Sequence, residues 1–399
     1  MTSPVLRIGV AGLGRAFTLM LPTFTADPRV RLVAAADPLP QARARFAQDF
    51  GAPAYDAVQA LCADPQVDVV YVATPHQLHA EHVGLAASCG KHLLVEKPMA
   101  LSLAQCTAMI DAVAAAKVHM VVGHSHSFDA PIRHTRALIE SGRFGAVKML
   151  SAMNFTDFLY RPRRAEELDT RAGGGVVHSQ ASHQIDILRL LGGGLVRSVA
   201  AHTGAWDPAR PTEGAYQALL DFQDGAFASA TYSGYAHFDS DVLMHDIGEM
   251  GQPKDPADYG AARRRLASGA TAIEEAALKA ARNYGGAAYA TAAAPAAGTA
   301  HQHFGHVVVS CEHADLRPMA NGVEIFGDRQ RSFDALATPA VPRSEVIDEL
   351  VGAVRDDHAP LHSGAWARAT TEVCLAILES ARSASRPVMQ WQVAVPGAR

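Results

Sequence analysis

Between Leu6 and Phe17 the chain reads LRIGVAGLGRAF: an apolar run, two closely spaced glycines, then a helical pattern. No other stretch constrains the fold as much. A buried strand that turns through Gly-x-Gly straight into a helix leaves helix-end amides pointing outward, where they favour a phosphate. Such a strand, turn and helix open a βαβ unit, which predicts further parallel strands. The pattern supplies them as VRLVAAAD, VDVVYVAT, HLLVEKP and HMVVGH. Helical stretches separate these runs, one over 40–50 and another over 99–117 with Ser102 as its expected cap. Near-continuous apolar strands such as Val69–Ala73 suit a sheet covered on both faces.

The pattern changes after residue 124. PIRHTRALIESGRFGAV reads as a helix stopped by Gly142 and followed by a strand. VRSVAAHTGAW, YQALLDFQDG and AFASATYSGYAHF read as longer strands, with a hairpin turn at QDGAF. The expected architecture is therefore α/β in two domains. Residues 1–123 form a nucleotide-binding Rossmann domain with a parallel sheet. Residues 124–399 form an α/β domain with an open, mainly antiparallel sheet, used for substrate binding and oligomerisation. Residues 254–300 read as an insertion, helical and charged over 255–286 and of low complexity at TAAAPAAGTAHQ; a mobile lid and an inert surface excursion both fit.

Charge and cysteine content exclude several classes. The 35 basic and 40 acidic residues give a net charge of −5, without the basic footprint of a nucleic-acid binder. Hydrophobic residues make up 49% and charged ones 19%, which is not the composition of a disordered chain. No apolar run is long enough to span a membrane. The opening MTSPVLRIG lacks the order of a signal peptide, and five dispersed cysteines without a CxxC pair suit a reducing compartment. A cytoplasmic location is expected.

Gly12 permits the tight turn of the dinucleotide loop, and Gly14 lets a pyrophosphate approach the backbone. Arg15, Ala16 and Phe17 open the helix behind it. Phe17 stands where Gly or Ala is usual, which implies looser packing of helix on strand. Asp37 ends the second strand. A carboxylate there accepts bonds from both adenosine ribose hydroxyls and repels a 2′-phosphate, so NAD is expected rather than NADP.

Three further segments carry a resemblance: ATPHQLHAEHV, GKHLLVEKPMALS and GGGVVHSQASHQIDILRLLGG. With GLGRAF and ESGRFGAV they resemble the Gfo/Idh/MocA oxidoreductases over nearly the whole chain outside 254–300. The resemblance implies that Lys97 is the active-site lysine and that a cis peptide bond precedes Pro98. It implies that Thr74, Pro75, His76, His79 and Glu96 lie along the cofactor. It makes His183 the catalytic histidine, with Asp186 three residues on. The sugar and inositol enzymes commonly carry Asp four residues before that histidine. Here the position is Ser179, which removes a negative charge and eases acceptance of an anionic substrate.

LGRAFTLMLPTF, GHSHSFDAPI, NFTDFLYRPRR and YSGYAHFDSD resemble the branch of the family that oxidises aromatic cis-dihydrodiols. Phthalate 4,5-cis-dihydrodiol is the substrate this implies, in phthalate degradation. Its two carboxylates call for cationic donors, which Arg161, Arg163 and Arg164 supply beside Tyr160, with His124, His126, His178 and Ser179 as further candidates. Lys97 and His183 are the expected acid–base pair. GHSHS and HQHFGH lack the cysteine or carboxylate partners of a strong metal site, so no metal is expected. A homo-oligomer formed through the C-terminal sheet is expected. The alternatives are a family dehydrogenase for a sugar, inositol or uronate, and a non-catalytic NAD-binding regulator.

Overall fold

The structure is a computed structural model and describes residues 5–235, 237–267, 272–289 and 300–396. The described parts of Met1–His124, Ala276–Ala296 and Val341–Arg368 form one compact unit; those of Ser125–Glu275, Ala297–Ala340 and Ala369–Arg399 form the other. Each unit is thus assembled from three stretches of chain, where the sequence reading placed a single cut at 123/124. The low-complexity connector lies outside the described residues over 291–299.

The first unit holds six parallel strands: β1 (Leu6–Ala11), β2 (Val30–Ala36), β3 (Ala54–Tyr55), β4 (Val69–Val72), β5 (His92–Val95) and β6 (Met120–Val122). Their order is β3-β2-β1-β4-β5-β6. All four residues of β4 are buried, as a sheet covered on both faces requires. β3 is too short to have shown in the pattern. Ser102 caps the helix Leu103–Ala116 by accepting a bond from the Gln105 amide at 3.2 Å. From the chain's last third, Val122 N–H donates to the His362 carbonyl at 2.8 Å, which binds the 341–368 stretch to β6.

Phe17 corrects the expectation of loose packing. It is fully buried, with Tyr284 edge-on at 5.1 Å and Phe46 at 6.2 Å. Tyr284 comes from the insertion and donates its hydroxyl to Asp49 at 2.6 Å. An aromatic side chain at this position is therefore a platform for a distant segment.

The second unit holds β7 (Val147–Phe155), β8 (Val196–Gly204), β9 (Ala215–Phe222), β10 (Phe227–Ser233), β11 (His306–Cys311), β12 (Ala314–Met319), β13 (Gly322–Gly327) and β14 (Arg331–Ala335). The order is β14-β13-β12-β11-β7-β10-β9-β8, antiparallel except between β7 and β10. The hairpin at QDGAF joins β9 to β10 with Gly225 at φ +92°, where glycine is favoured. Strand register puts the exposed apolar residues Met149, Leu219, Phe227, Phe326 and Phe333 on one face. The helices Ala130–Glu140 and Ser182–Leu191 pack against the sheet. A π-helical turn, Val177–Ala181, leads into the second of them. Among the described residues no helix is long and apolar enough to cross a membrane.

Candidate active site

The first unit supplies a cradle for a dinucleotide. At Gly12, φ is +96° and an added Cβ would lie 2.8 Å from the Ala73 carbonyl oxygen, so a side chain is excluded. Gly14 opens the helix Arg15–Ala26 without any side-chain cap, and an added Cβ there would meet nothing within 4 Å. A helix start with no side-chain cap and open space at Gly14 is what an approaching pyrophosphate needs. Arg15 is exposed and Ala16 half-buried at the same helix start. Asp37 accepts the Leu13 amide on one carboxylate oxygen and the Leu39 amide on the other, both at 2.8 Å. These bonds fix the carboxylate against the loop and leave lone pairs for ribose hydroxyls. The residues present fit NAD.

The other cofactor candidates divide. Lys97 is half-buried, and the peptide joining it to Pro98 is cis. Pro75 is exposed, His76 is half-buried, and Thr74 Oγ1 bonds His82 Nδ1 at 2.9 Å. His79 is fully buried and its ring spans two loops. Nδ1 faces the Pro98 and Met99 carbonyls at 3.1 and 3.2 Å, and Nε2 faces the Thr74 carbonyl at 2.9 Å. Glu96 accepts the Tyr71 hydroxyl at 2.6 Å, and burial pushes its pKa up. The side chains of Phe17, His79 and Glu96 therefore serve the interior, which corrects their reading as groups that face the cofactor. His79 acts as a clamp between the loop after β4 and the loop after β5.

In the second unit the structure gathers a histidine cluster. His183 lies in the first turn of Ser182–Leu191 and is buried. The His126 ring meets it edge to face at 4.7 Å, and Phe304 packs on both rings at 5.2 and 4.8 Å. Tyr232 stacks on Phe304 at 6.0 Å. His126 Nδ1 lies 2.7 Å from Asp129, and its Nε2 lies 3.5 Å from Glu249. Asp129 is a carboxylate partner that the GHSHS motif by itself does not contain. Asp186 accepts the Ser125 and Ser127 hydroxyls on one oxygen and the Thr370 hydroxyl on the other. The helix bearing His183 thus grips both neighbours of His126.

Sequence reasoning missed Asp129, Glu249, Tyr232 and Phe304. The i+3 spacing from His126 could have flagged Asp129, whereas the others come from distant segments. HQHFGH contributes its phenylalanine. His301 and His303 instead bond the Ala337 and Ile247 carbonyls at 2.9 and 2.8 Å.

The expected substrate residues are also sorted by their partners. Arg163 stacks 3.6 Å above the Phe158 ring and donates to the Phe158 carbonyl. Arg164 pairs with Glu166 at 2.8 Å. Tyr160 donates to Asp207 at 2.8 Å, beneath the Arg263 guanidinium at 3.8 Å. The Ser179 hydroxyl donates to the Gly175 carbonyl. These four side chains hold the loop and the helix entrance, and Arg164 keeps 42% of its side chain exposed. His124 and His178 are buried, and burial pushes the His178 pKa down. Arg161 pairs with Asp157 at 2.9 Å, keeps 47% of its side chain exposed, and has Glu249 and Tyr232 within electrostatic reach.

The insertion helps to build this loop. Glu275, buried in the helix Ala272–Ala281, accepts from both terminal guanidinium nitrogens of Arg210 at 2.9 and 3.0 Å and from the Arg163 amide at 3.1 Å.

Residues 6–124 match the family model described as "Oxidoreductase family, NAD-binding Rossmann fold", and residues 132–253 match the GFO/IDH/MocA C-terminal domain. The chain belongs to the Gfo/Idh/MocA oxidoreductase family. It is 48% identical over 378 residues to 1-carboxy-3-chloro-3,4-dihydroxycyclohexa-1,5-diene dehydrogenase from Comamonas testosteroni, covering 94% of this chain and 95% of the relative. The crystal structure of a dehydrogenase from Bordetella bronchiseptica superposes with a TM-score of 0.91 at 41% identity, over 97% of this chain and 100% of that one. The WlbA dehydrogenase from Bordetella pertussis, solved with NADH and UDP-GlcNAcA, shares the fold at a TM-score of 0.66 and 21% identity, over 97% and 99% of the chains. This member of the Gfo/Idh/MocA family is an NAD-dependent dehydrogenase.

Proposed function

We propose that the chain oxidises a carboxylated cyclohexadiene cis-diol to the corresponding catechol. The likeness to the Comamonas enzyme carries this reading, because it extends over 94% of the chain and that enzyme's name describes a cyclohexadiene ring with a carboxyl at position 1, adjacent hydroxyls at 3 and 4, and a chlorine at 3. NAD supplies the hydride acceptor when bound. Lys97 and His183 are assigned as the acid–base pair. The base takes the proton from one ring hydroxyl as the C–H bond on that carbon gives up its electron pair. The hydroxydienone left behind tautomerises to a catechol, and aromaticity drives the oxidation forward.

Phthalate 4,5-cis-dihydrodiol, oxidised to 4,5-dihydroxyphthalate, is the specific substrate proposed. A second reading rests on the engagement of Arg163 by Phe158 and of Arg164 by Glu166. That leaves Arg161 as the one of the three arginines argued to face substrate, and one guanidinium fork matches one carboxylate. A monocarboxylate diol fits that count. NADH formation by the purified protein on phthalate, benzoate and benzene dihydrodiols and on inositol tests both. Preference for a carboxylated diol is expected, and equal efficiency on inositol or benzene dihydrodiol would refute the reading.

Asp37 supports a preference for NAD over NADP. Five free cysteines suit a cytoplasmic setting. The apolar face bearing Leu219 and Phe227 suits pairing of copies through the eight-stranded sheet.

A further inference from the structure

His126 is fully enclosed, yet both of its ring nitrogens face carboxylates: Asp129 at Nδ1 and Glu249 at Nε2. A neutral imidazole has one N–H to donate and would set its lone pair against the second carboxylate. The doubly protonated ring meets both. Burial alone would drive this histidine neutral, but Asp129 and Glu249 outweigh it and raise the pKa. Its ring is fixed from both sides in sequence, since Ser125 and Ser127 each donate to Asp186, one helical turn beyond His183. Phe304 closes the remaining side. The charged and titratable groups around the pair include Asp129, Glu249, His183 and the chain neighbour His124, with Arg161 and Tyr232 in electrostatic reach of Glu249.

We propose that His126 is a positioning residue for the reaction: an imidazolium held against His183 that fixes that ring's direction and keeps it unprotonated, ready to accept a proton. A cation at this range disfavours a second positive charge beside it. Asp129 and Glu249 balance the first. The proposal rests on the reading of His183 as the base.

Removing the His126 charge lets His183 take up a proton at higher pH. The acidic limb of the kcat/KM profile should then move to higher pH. In His126→Gln the limb is expected to shift upward by roughly one unit, which is about tenfold lower activity on the acid side. The high-pH plateau should fall less. Asp129→Asn should shift the limb in the same direction, and His126→Arg, which keeps a cation, should bring it back toward the starting position.

The measurement is the pH profile of the full-length protein with saturating NAD and phthalate 4,5-cis-dihydrodiol, alongside a thermal melt and NADH binding for each variant. A uniform loss of kcat with the limb unmoved in both His126→Gln and Asp129→Asn would overturn the proposal. So would an equivalent of bound metal in the parent protein that His126→Gln loses. His183→Ala separates the two readings. If it stays active, the base assignment fails. If it is inactive and the limb is unmoved in the other variants, the role of His126 alone fails.

Discussion

In the first unit, Gly12, Gly14 and the helix start they define lie within a few residues of one strand, and the groups they offer are backbone amides. In the second unit, His126, His183, Glu249 and Phe304 arrive from four segments and offer side chains. A backbone cradle depends on chain direction and on the absence of a Cβ, which short-range sequence specifies. A side-chain cluster depends on long-range packing, which a local pattern does not encode. The two regions should therefore respond differently to single substitutions.

The largest effect is expected at the cluster. His183→Ala should cut turnover by roughly a hundredfold or more, as loss of a positioned acid–base group does. NADH binding should stay near that of the parent protein, because the cradle is built in the other unit. Lys97→Ala should behave likewise in turnover. Stopped-flow or steady-state NADH formation, with a separate fluorescence titration of NADH, reads both quantities. Turnover near the parent rate in both variants would break the contrast.

The next effect is expected at the cradle. Asp37→Ala removes the carboxylate that would oppose a 2′-phosphate and also frees the Leu13 and Leu39 amides. Charge-assisted hydrogen bonds are about twice as strong as neutral ones. NADH should bind roughly tenfold more weakly, and the margin over NADPH should narrow. Tighter binding of NADPH by the parent protein would overturn the proposed preference.

These contrasts bear on what the sequence could show. The parallel sheet, the glycine turn, Asp37 at the end of β2 and the Ser102 cap are local features, and each stands where the pattern placed it. The unusual residue at 17 was visible, but its partner was not. Tyr284 lies far along the chain, and nothing near Phe17 announces it. His79 reads as a cofactor ligand because its segment resembles one that lines the cofactor in the family, yet both ring nitrogens face carbonyls in the interior. The run YRPRR shows its charge plainly and its partners not at all. Glu275, which receives the Arg163 amide, comes from an insertion that two opposed readings fitted equally well.

The smallest effect separates residues within that run. Arg161 and Arg164 are both part-exposed and both paired to a carboxylate, with Asp157 at 2.9 Å and Glu166 at 2.8 Å. Exposed pairs of this kind contribute about 0–1 kcal/mol, so neither substitution should threaten the fold. The difference lies in what else each guanidinium meets. Arg161 has Glu249 and Tyr232 of the cluster within reach, whereas Arg164 sits among Glu166 and Glu167. Arg161→Ala should raise KM for a carboxylated diol several-fold and leave kcat almost unchanged, because the contact is present in ground and transition states alike. Arg164→Ala should change neither. Benzene dihydrodiol, with no carboxylate to lose, should show no difference between parent and Arg161→Ala. If Arg164→Ala raises KM as much as Arg161→Ala does, the run acts as a diffuse positive surface, and a substrate with two carboxylates regains its second partner.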